Sequence, residues 1–340
     1  MHIFRRRYLV TVTAALLALT ACGGGDTPAT VAAPNDIEGA AKDEGTVMLY
    51  SSVEEEATNA FAKAFTEKYG IDVDVVRLTS AQLAQRFSAE AQAGAPAADA
   101  LLVSRTGFTA EGIKNGWLTP LADAGLPDYP GSLDQKFQLP DEGTAISIIQ
   151  PAGIAYNTKL VPAAEAPKTW EDLLDPKWKG KIAIADPASS ASYIGEWLVV
   201  GKASGADFLQ RFGAQDLKKY ASGVPAAAAV AAGEAAFCVM GLASHIVDPK
   251  SKGAPIEFIV PPLTSGAEVV PGIAAKGKHP NAARLLVQYA LSQEGSTTLA
   301  DAAGAVSPYD AAKLPAQYIS PDLSSAKDQQ ATVVSQLGLS

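Results

Sequence analysis

The sequence predicts an α/β fold built in two units, and three observations carry that prediction. The first is a strand–helix–strand–helix–strand succession between Thr46 and Val103. The second is a fresh α/β start after Ala145–Gln150. The third is length: with an N-terminal export segment of 21 residues removed, 319 of the 340 residues remain. At about 150 residues per domain that suggests two domains. A βαβ succession implies a parallel sheet with helices on its faces.

Thr46-Val47-Met48-Leu49-Tyr50 reads as a buried strand. Ala57, Ala60, Phe61, Ala64 and Phe65 follow at i, i+3, i+4, i+7, i+8, the spacing of one helix face. Gly70 ends that helix, since glycine accepts the left-handed position just past a helix. Val73–Arg77 is the second strand, Leu83, Phe87 and Ala91 mark the second helix, and Ala100–Val103 is the third strand. Further on, Lys181–Ala185 is a strand that Asp186-Pro187 breaks, with a helix from about Ser189. Ala226–Ala232 reads as a helix with a small-residue face. Ile256–Val260 and Val269–Ala275 are late strands. Pro280-Asn281 then starts a helix whose stripe is Ala282, Leu285, Leu286, Tyr289 and Ala290.

The N-terminus speaks to the compartment. Arg5, Arg6 and Arg7 precede an apolar run, Tyr8 to Ala21, that is shorter than the roughly 20 residues a bilayer demands. A basic start, a short apolar core and a small-residue exit read as an export signal over residues 1–21. The exit, Leu19-Thr20-Ala21-Cys22, resembles a bacterial lipobox, which implies acylation of the Cys22 thiol. The Gly-, Ala-, Pro- and Thr-rich stretch over 22–35 cannot bury a core and is expected to be a flexible tether. The chain is thus expected to be exported and lipid-anchored, on the outer side of the cytoplasmic membrane or in the periplasm. Net charge is −9, and since Arg5, Arg6 and Arg7 are the only charges in residues 1–21, the mature chain stands at −12. That argues against a nucleic-acid partner, though a local cleft can still oppose it and take an anion. With Cys22 acylated, Cys238 has no disulfide partner and packs as a small hydrophobe.

Three segments carry a family resemblance. The first is Gly153-Ile154-Ala155-Tyr156-Asn157-Thr158 with Pro167-Lys168-Thr169-Trp170-Glu171-Asp172-Leu173-Leu174. The second is Asp175-Pro176-Lys177-Trp178-Lys179-Gly180-Lys181-Ile182, leading into Asp186-Pro187. The third is Pro271-Gly272-Ile273-Ala274, then Asn281-Ala282-Ala283 and Leu291-Ser292-Gln293-Glu294-Gly295. Together with the βαβαβ start they resemble family 1 extracellular solute-binding proteins of ABC importers, above all the ferric-ion-binding branch and its organic-anion-binding relatives. The resemblance implies a type II periplasmic-binding-protein architecture: two α/β lobes, a hinge crossed at least twice, and a ligand between the lobes. It places lobe 1 at 36–149 and 272–310 and lobe 2 at 150–271 and 311–340. The crossings are expected near Gln150–Ile154 and Val269–Ile273.

Ligands of such sheets sit beyond the carboxyl ends of the strands. Those ends offer Ser51 and Ser52, Ser80, and Arg105 with Thr106. The two serines could equally serve turns or caps. Arg105 grips carboxylate or phosphate in the bidentate manner of guanidinium. Arg77 ranks behind it, because it could face outward. Tyr156, just past a crossing, either lines the cleft or packs in the core. The resemblance further implies an anion pocket at the helix start Ser189-Ser190-Ala191, where free amides and the helix dipole favour negative charge; Ser189 or Ser190 could instead simply cap that helix. In the ferric branch two adjacent tyrosines follow a Gly-Glu pair. Here the positions after Gly233-Glu234 fall on Ala243-Ser244 or Ile246-Val247, which give hard Fe³⁺ no anionic oxygen. Ser244 and His245 stay as ligand candidates on that segment.

The sequence has no H-E-x-x-H, C-x-x-C, Walker loop or G-x-S-x-G. The expectation is a monomeric binding lipoprotein without cofactor, capturing a small organic anion (a carboxylate, phosphate or phosphonate) for a membrane permease. A ferric-iron carrier is the alternative within the class, and a periplasmic hydrolase the alternative outside it.

Overall fold

The computed structural model describes residues 31–33 and 36–339. The expected export signal and Cys22 lie outside the described residues. The chain runs through α1 (Ile37–Glu44), β1 (Val47–Ser51), α2 (Glu55–Tyr69), β2 (Val73–Arg77), α3 (Ser80–Gln92), β3 (Ala100–Ser104), α4 (Phe108–Lys114) and β4 (Leu118–Thr119). A short hairpin follows, β5 (Gln138–Leu139) and β6 (Thr144–Ala145), and then β7 (Ile148–Pro151) and β8 (Gly153–Asn157). Next come β9 (Ile182–Ala185), α5 (Ala191–Ser204), α6 (Phe208–Gly213), β10 (Lys218–Tyr220), α7 (Gly223–Ala232), β11 (Phe237–Gly241) and α8 (Ser244–Ser251). The chain ends through β12 (Ile256–Ile259), β13 (Leu263–Thr264), β14 (Gly266–Ala274), α9 (Pro280–Leu291), α10 (Gln293–Ala303), β15 (Gln317–Tyr318) and α11 (Ala326–Gln336).

These elements make the expected two-lobe α/β architecture. In the first sheet the order is β2-β1-β3-β14-β4, with β7 also on β14. β1 is parallel to β2 and β3, whereas β14 runs antiparallel to β3, β4 and β7. In the second sheet the order is β10-β9-β11-β8-β12, with β8 antiparallel to both its neighbours. Each sheet has its own core: Phe61, Phe65, Phe87 and Tyr289 in the first, Trp170, Trp178, Trp197 and Phe237 in the second.

Local chemistry explains the helix ends. α2 stops at Gly70, which takes the left-handed conformation. α3 starts in a capping box, with Thr79 accepting from Gln82 N–H and Gln82 reaching back to Thr79. The amides at the start of α9 donate to the Glu44 carboxylate, a negative charge at a positive dipole end. The expected tether is docked at one point: Ala32 donates to Asn281 and accepts from Arg284 on α9.

Backbone ties join the lobes. β7 leads into β8 through Ala152. β13 leads into β14 through Ser265, and a Cβ on Gly266 would come within 2.2 Å of the Gln150 carbonyl, so glycine lets these two crossings touch. The third tie is the segment after β15, which pairs with β13 and then meets α5 at Gly195 and Asp322. The expected boundary at 271/272 falls inside β14, which belongs to the first sheet from Gly266 onward. The crossing lies ahead of that strand, because β14 is needed whole to bridge β3, β4 and β7.

Candidate ligand-binding cleft

On the first lobe the candidate site lies at the carboxyl ends of β1, β2 and β3, which end at Ser51, Arg77 and Ser104. Ser51 is fully buried, its hydroxyl engaged with Thr58 at 2.9 Å and accepting from Val53 N–H. It holds the strand-to-helix turn rather than a ligand. Ser52 accepts from Ser104 N–H at 2.9 Å and so ties the ends of β1 and β3 together. Ser80 and Thr106 are half-buried at the entries to α3 and α4.

Arg105 is where the structure departs most from expectation. Its Nε and Nη2 donate to Glu142 Oε1, and its Nη1 donates to Glu268 Oε2 at 2.7 Å. Glu268 is 1% exposed and also accepts from Tyr318 and Ser320. Burial opposes the guanidinium's charge, but the two carboxylates outweigh it and hold the charged form firmly. Two carboxylates already match this cation, so Arg105 is a structural ion pair and not a free anion grip.

Arg77 contrasts with Arg105. It closes β2 opposite Ser51, is exposed, and alone among the described arginines forms no hydrogen bond or ion pair. Its charge contributes to lowering the pKa of His245 on the second lobe. Three residues past Ser51 stands Glu54, half-buried, accepting from Gln150 Nε2 at 3.3 Å. Its other oxygen lies 3.9 Å from His245 Nε2.

On the second lobe three helix starts converge, those of α5, α7 and α8. Ser190 is the N-cap of α5 and accepts from Ser192 N–H at 3.2 Å. Ser189 is exposed and donates back to the Asp186 carbonyl at 2.7 Å, closing its own turn. Ala191 is the half-buried first residue of α5. Ser192 donates to Glu196, a fully buried carboxyl with a second oxygen that has no partner. Burial pushes the Glu196 carboxyl up to about 8, with the nearby Glu268 charge adding to the effect. Tyr193 lies beside the Gly223 amide and within reach of the Glu54 charge; burial raises its hydroxyl pKa well above the ordinary value.

His245 is buried on α8, and its Nδ1 accepts from Leu242 N–H at 3.2 Å. With Nδ1 as acceptor, the neutral ring carries its proton on Nε2 and points it at Glu54. Burial holds the ring pKa below the usual imidazole value, Arg77 lowers it further, and Glu54 works against both. Gly223 lies under the ring, since a Cβ there would come within 2.2 Å of His245 Cε1. The neighbouring Ser244 hydroxyl is buried without a partner.

Tyr156 is a correction. It pairs with Phe237 and packs in the core of the second lobe. The reason is direction: β8 is antiparallel to β11, so the cleft end of β11 at Gly241 lies beside Gly153, the start of β8. Three residues later the chain has moved away from the cleft. Sequence reading also missed Glu54, Tyr193 and Gly223. Glu54 could have been found, because it follows the carboxyl end of β1.

The candidate donors are the Arg77 guanidinium, the His245 Nε2–H, the Tyr193 hydroxyl and the Ala191 and Tyr193 amides of α5, since the Ser192 and Ile194 amides already donate to Ser190. One carboxylate, Glu54, stands among them. Among the described residues no three His, Cys, Asp or Glu side chains converge as metal ligands would.

Residues 96–330 match the family described as bacterial extracellular solute-binding protein. The fold matches the substrate-binding protein of an ABC transporter from Agrobacterium tumefaciens with a TM-score of 0.73, at 17% identity over 86% of this chain and 94% of that one. It matches iron-bound HitA from Pseudomonas aeruginosa with a TM-score of 0.68, at 22% identity over 85% and 99%. It matches the periplasmic binding protein AfuA from Actinobacillus pleuropneumoniae, with fructose-6-phosphate bound, at a TM-score of 0.67 and 25% identity over 87% and 99%. These relatives are transport proteins, not enzymes.

Proposed function

Since this chain belongs to the bacterial extracellular solute-binding proteins, which hand small molecules to ABC permeases, we propose that it captures a small organic anion between its two lobes. The anion carries a carboxylate, phosphate or phosphonate. The observation that supports this reading is the donor set: on one lobe the Arg77 guanidinium, which has no hydrogen bond or ion pair, at the end of β2, and on the other the start of α5 and the His245 Nε2–H. Helix N-termini favour negative charge through free amides and the dipole. Lobe closure would place these donors around one charge, the hinge motion common to two-lobed binding proteins. A phosphorylated sugar is the first member of the class to try, given what AfuA holds.

Ferric iron is less well served. The positions where tandem tyrosines would stand begin α8 as Ala243-Ser244 and continue as Ile246-Val247, with no anionic oxygen among them. In this reading the chain acts as a monomer, exported and anchored through lipid on Cys22, with its permease in the cytoplasmic membrane. A thermal-shift screen of the mature chain against sugar phosphates, carboxylates, phosphonates, polyamines and ferric citrate tests the ligand class. Ligand that binds only the folded state raises stability by RT ln(1 + [L]/Kd). The expected result is a rise in Tm with anions; a rise with polyamine or ferric ion alone would overturn the reading.

A further inference from the structure

We propose that Arg77 and Glu54 select the ligand together: it carries a negative group for Arg77 and, elsewhere on the same molecule, a hydrogen-bond donor for Glu54. This rests on the organic-anion reading above and narrows it. Arg77 stands exposed and unpaired at the end of β2, level with Ser51 at the end of β1. The chain leaves that same end of β1 through Ser52 and Val53 to Glu54. Glu54 does not cap α2 with its side chain, although it occupies the N-cap. Its protein partners are loose, Gln150 at 3.3 Å and His245 Nε2 at 3.9 Å from the other lobe. The second of these is too long for a hydrogen bond.

A half-buried carboxylate with such contacts keeps acceptor capacity for a donor that arrives with the ligand. An anion with no donor would meet Glu54 as repulsion. A diamine would satisfy Glu54 but would meet Arg77 with a like charge. The cleft therefore rejects both by unpaired or opposed charge, which is how polar sites discriminate most sharply. Arg105 cannot take the Arg77 role, because Glu142 and Glu268 already hold it. The donor is a hydroxyl, as in a sugar phosphate, or an ammonium, as in an amino acid.

The test is calorimetric titration of the mature chain and of Arg77→Gln and Glu54→Gln with fructose 6-phosphate, 4-aminobutyrate, butyrate and putrescine. The expected result is binding of fructose 6-phosphate or 4-aminobutyrate, with butyrate and putrescine at least about tenfold weaker. Arg77→Gln should weaken the bound probe by about 10- to 150-fold, the range for one charge-assisted hydrogen bond. Glu54→Gln separates the two donors. An ammonium probe should lose about tenfold or more, whereas a hydroxyl probe should change by only a few-fold, because the amide oxygen still accepts. Equal unfolding midpoints for the three proteins exclude a folding effect. Tight binding that neither substitution changes would overturn the selection by Arg77 and Glu54 and leave the organic-anion reading standing. Binding of putrescine alone would overturn both.

Discussion

Arg105 and Glu268 lie 2.7 Å apart, and the Arg105 amide also donates to the Glu268 carbonyl at 2.6 Å. One link thus joins the end of β3 to the strand that brings the chain back from the second lobe. Tyr318 and Ser320, on the third tie between the lobes, donate to the other oxygen of the same carboxylate. The guanidinium that looked like a ligand grip is a fastener at the base of the hinge.

Arg105→Ala should therefore destabilise the fold rather than only weaken binding. It would leave Glu268 buried with no cation, and breaking a buried pair from one side costs about 3–5 kcal/mol. Arg105 is 16% exposed, so water would reduce that figure, and we expect about 2–4 kcal/mol. Urea unfolding of the variant reads this directly. A midpoint equal to wild type would show that the network carries no stability.

The Glu196 carboxyl makes stability depend on pH. Its pKa in the folded protein, about 8, is above the ordinary 4.5. Between those values the unfolded chain loses its proton while the folded chain keeps it, so the unfolded state binds fewer protons and stability falls as pH rises. The loss begins near pH 4.5 and is complete once pH passes about 8. Glu196→Gln removes this dependence. The variant should match wild type near pH 5 and exceed it at pH 9 by on the order of a few kcal/mol. Unfolding midpoints at the two pH values check it; parallel pH profiles for the two proteins would contradict it.

Gly223→Ala should displace His245, since the added Cβ would fall 2.2 Å from the ring. Either the imidazole turns, losing the Leu242 N–H bond, or the start of α7 shifts. Overpacking of this kind costs about 1–3 kcal/mol. The Nε2–H would leave its position opposite Glu54, and ligand affinity should fall with it. The imidazole proton resonances of His245 should move in the variant; an unmoved ring with unchanged affinity would remove His245 from the site.

Cys22→Ala should release the protein from membranes. The lipobox-like Leu19-Thr20-Ala21-Cys22 supplies the proposed anchor, and no described helix is long and apolar enough to span a bilayer. Fractionation after a high-salt wash measures this. A variant that stays in the membrane fraction would rule out acylation as the anchor.

Most strands of the first sheet were legible in the sequence, because local signals fix them, whereas β8, β10 and β11 of the second sheet were not read as strands. Apolar runs gave β1, β3 and β9, helical spacing gave α2 and α9, and Gly70 marked a helix end. What stayed hidden depends on partners far along the chain. Arg105 is neutralised by Glu268, 163 positions away, and nothing near Arg105 announces that. Tyr156 was misplaced because strand direction follows from pairing with β11, not from its own residues. Ala32 looked like tether because its composition is that of a tether; its partners Asn281 and Arg284 are in α9. Ser190 was ambiguous between cap and ligand contact, and it does cap α5, which leaves the neighbouring amides as the candidates for a ligand.

Calorimetric titration of the mature chain with the anions that raise its Tm tests whether the two lobes hold an organic anion. Binding should be one-to-one and weaken as salt rises, because opposed charges on ligand and cleft are screened. Putrescine and ferric citrate should give no competing heat. Saturable binding of either of those, with no heat from any carboxylate, phosphate or phosphonate, would contradict the organic-anion reading.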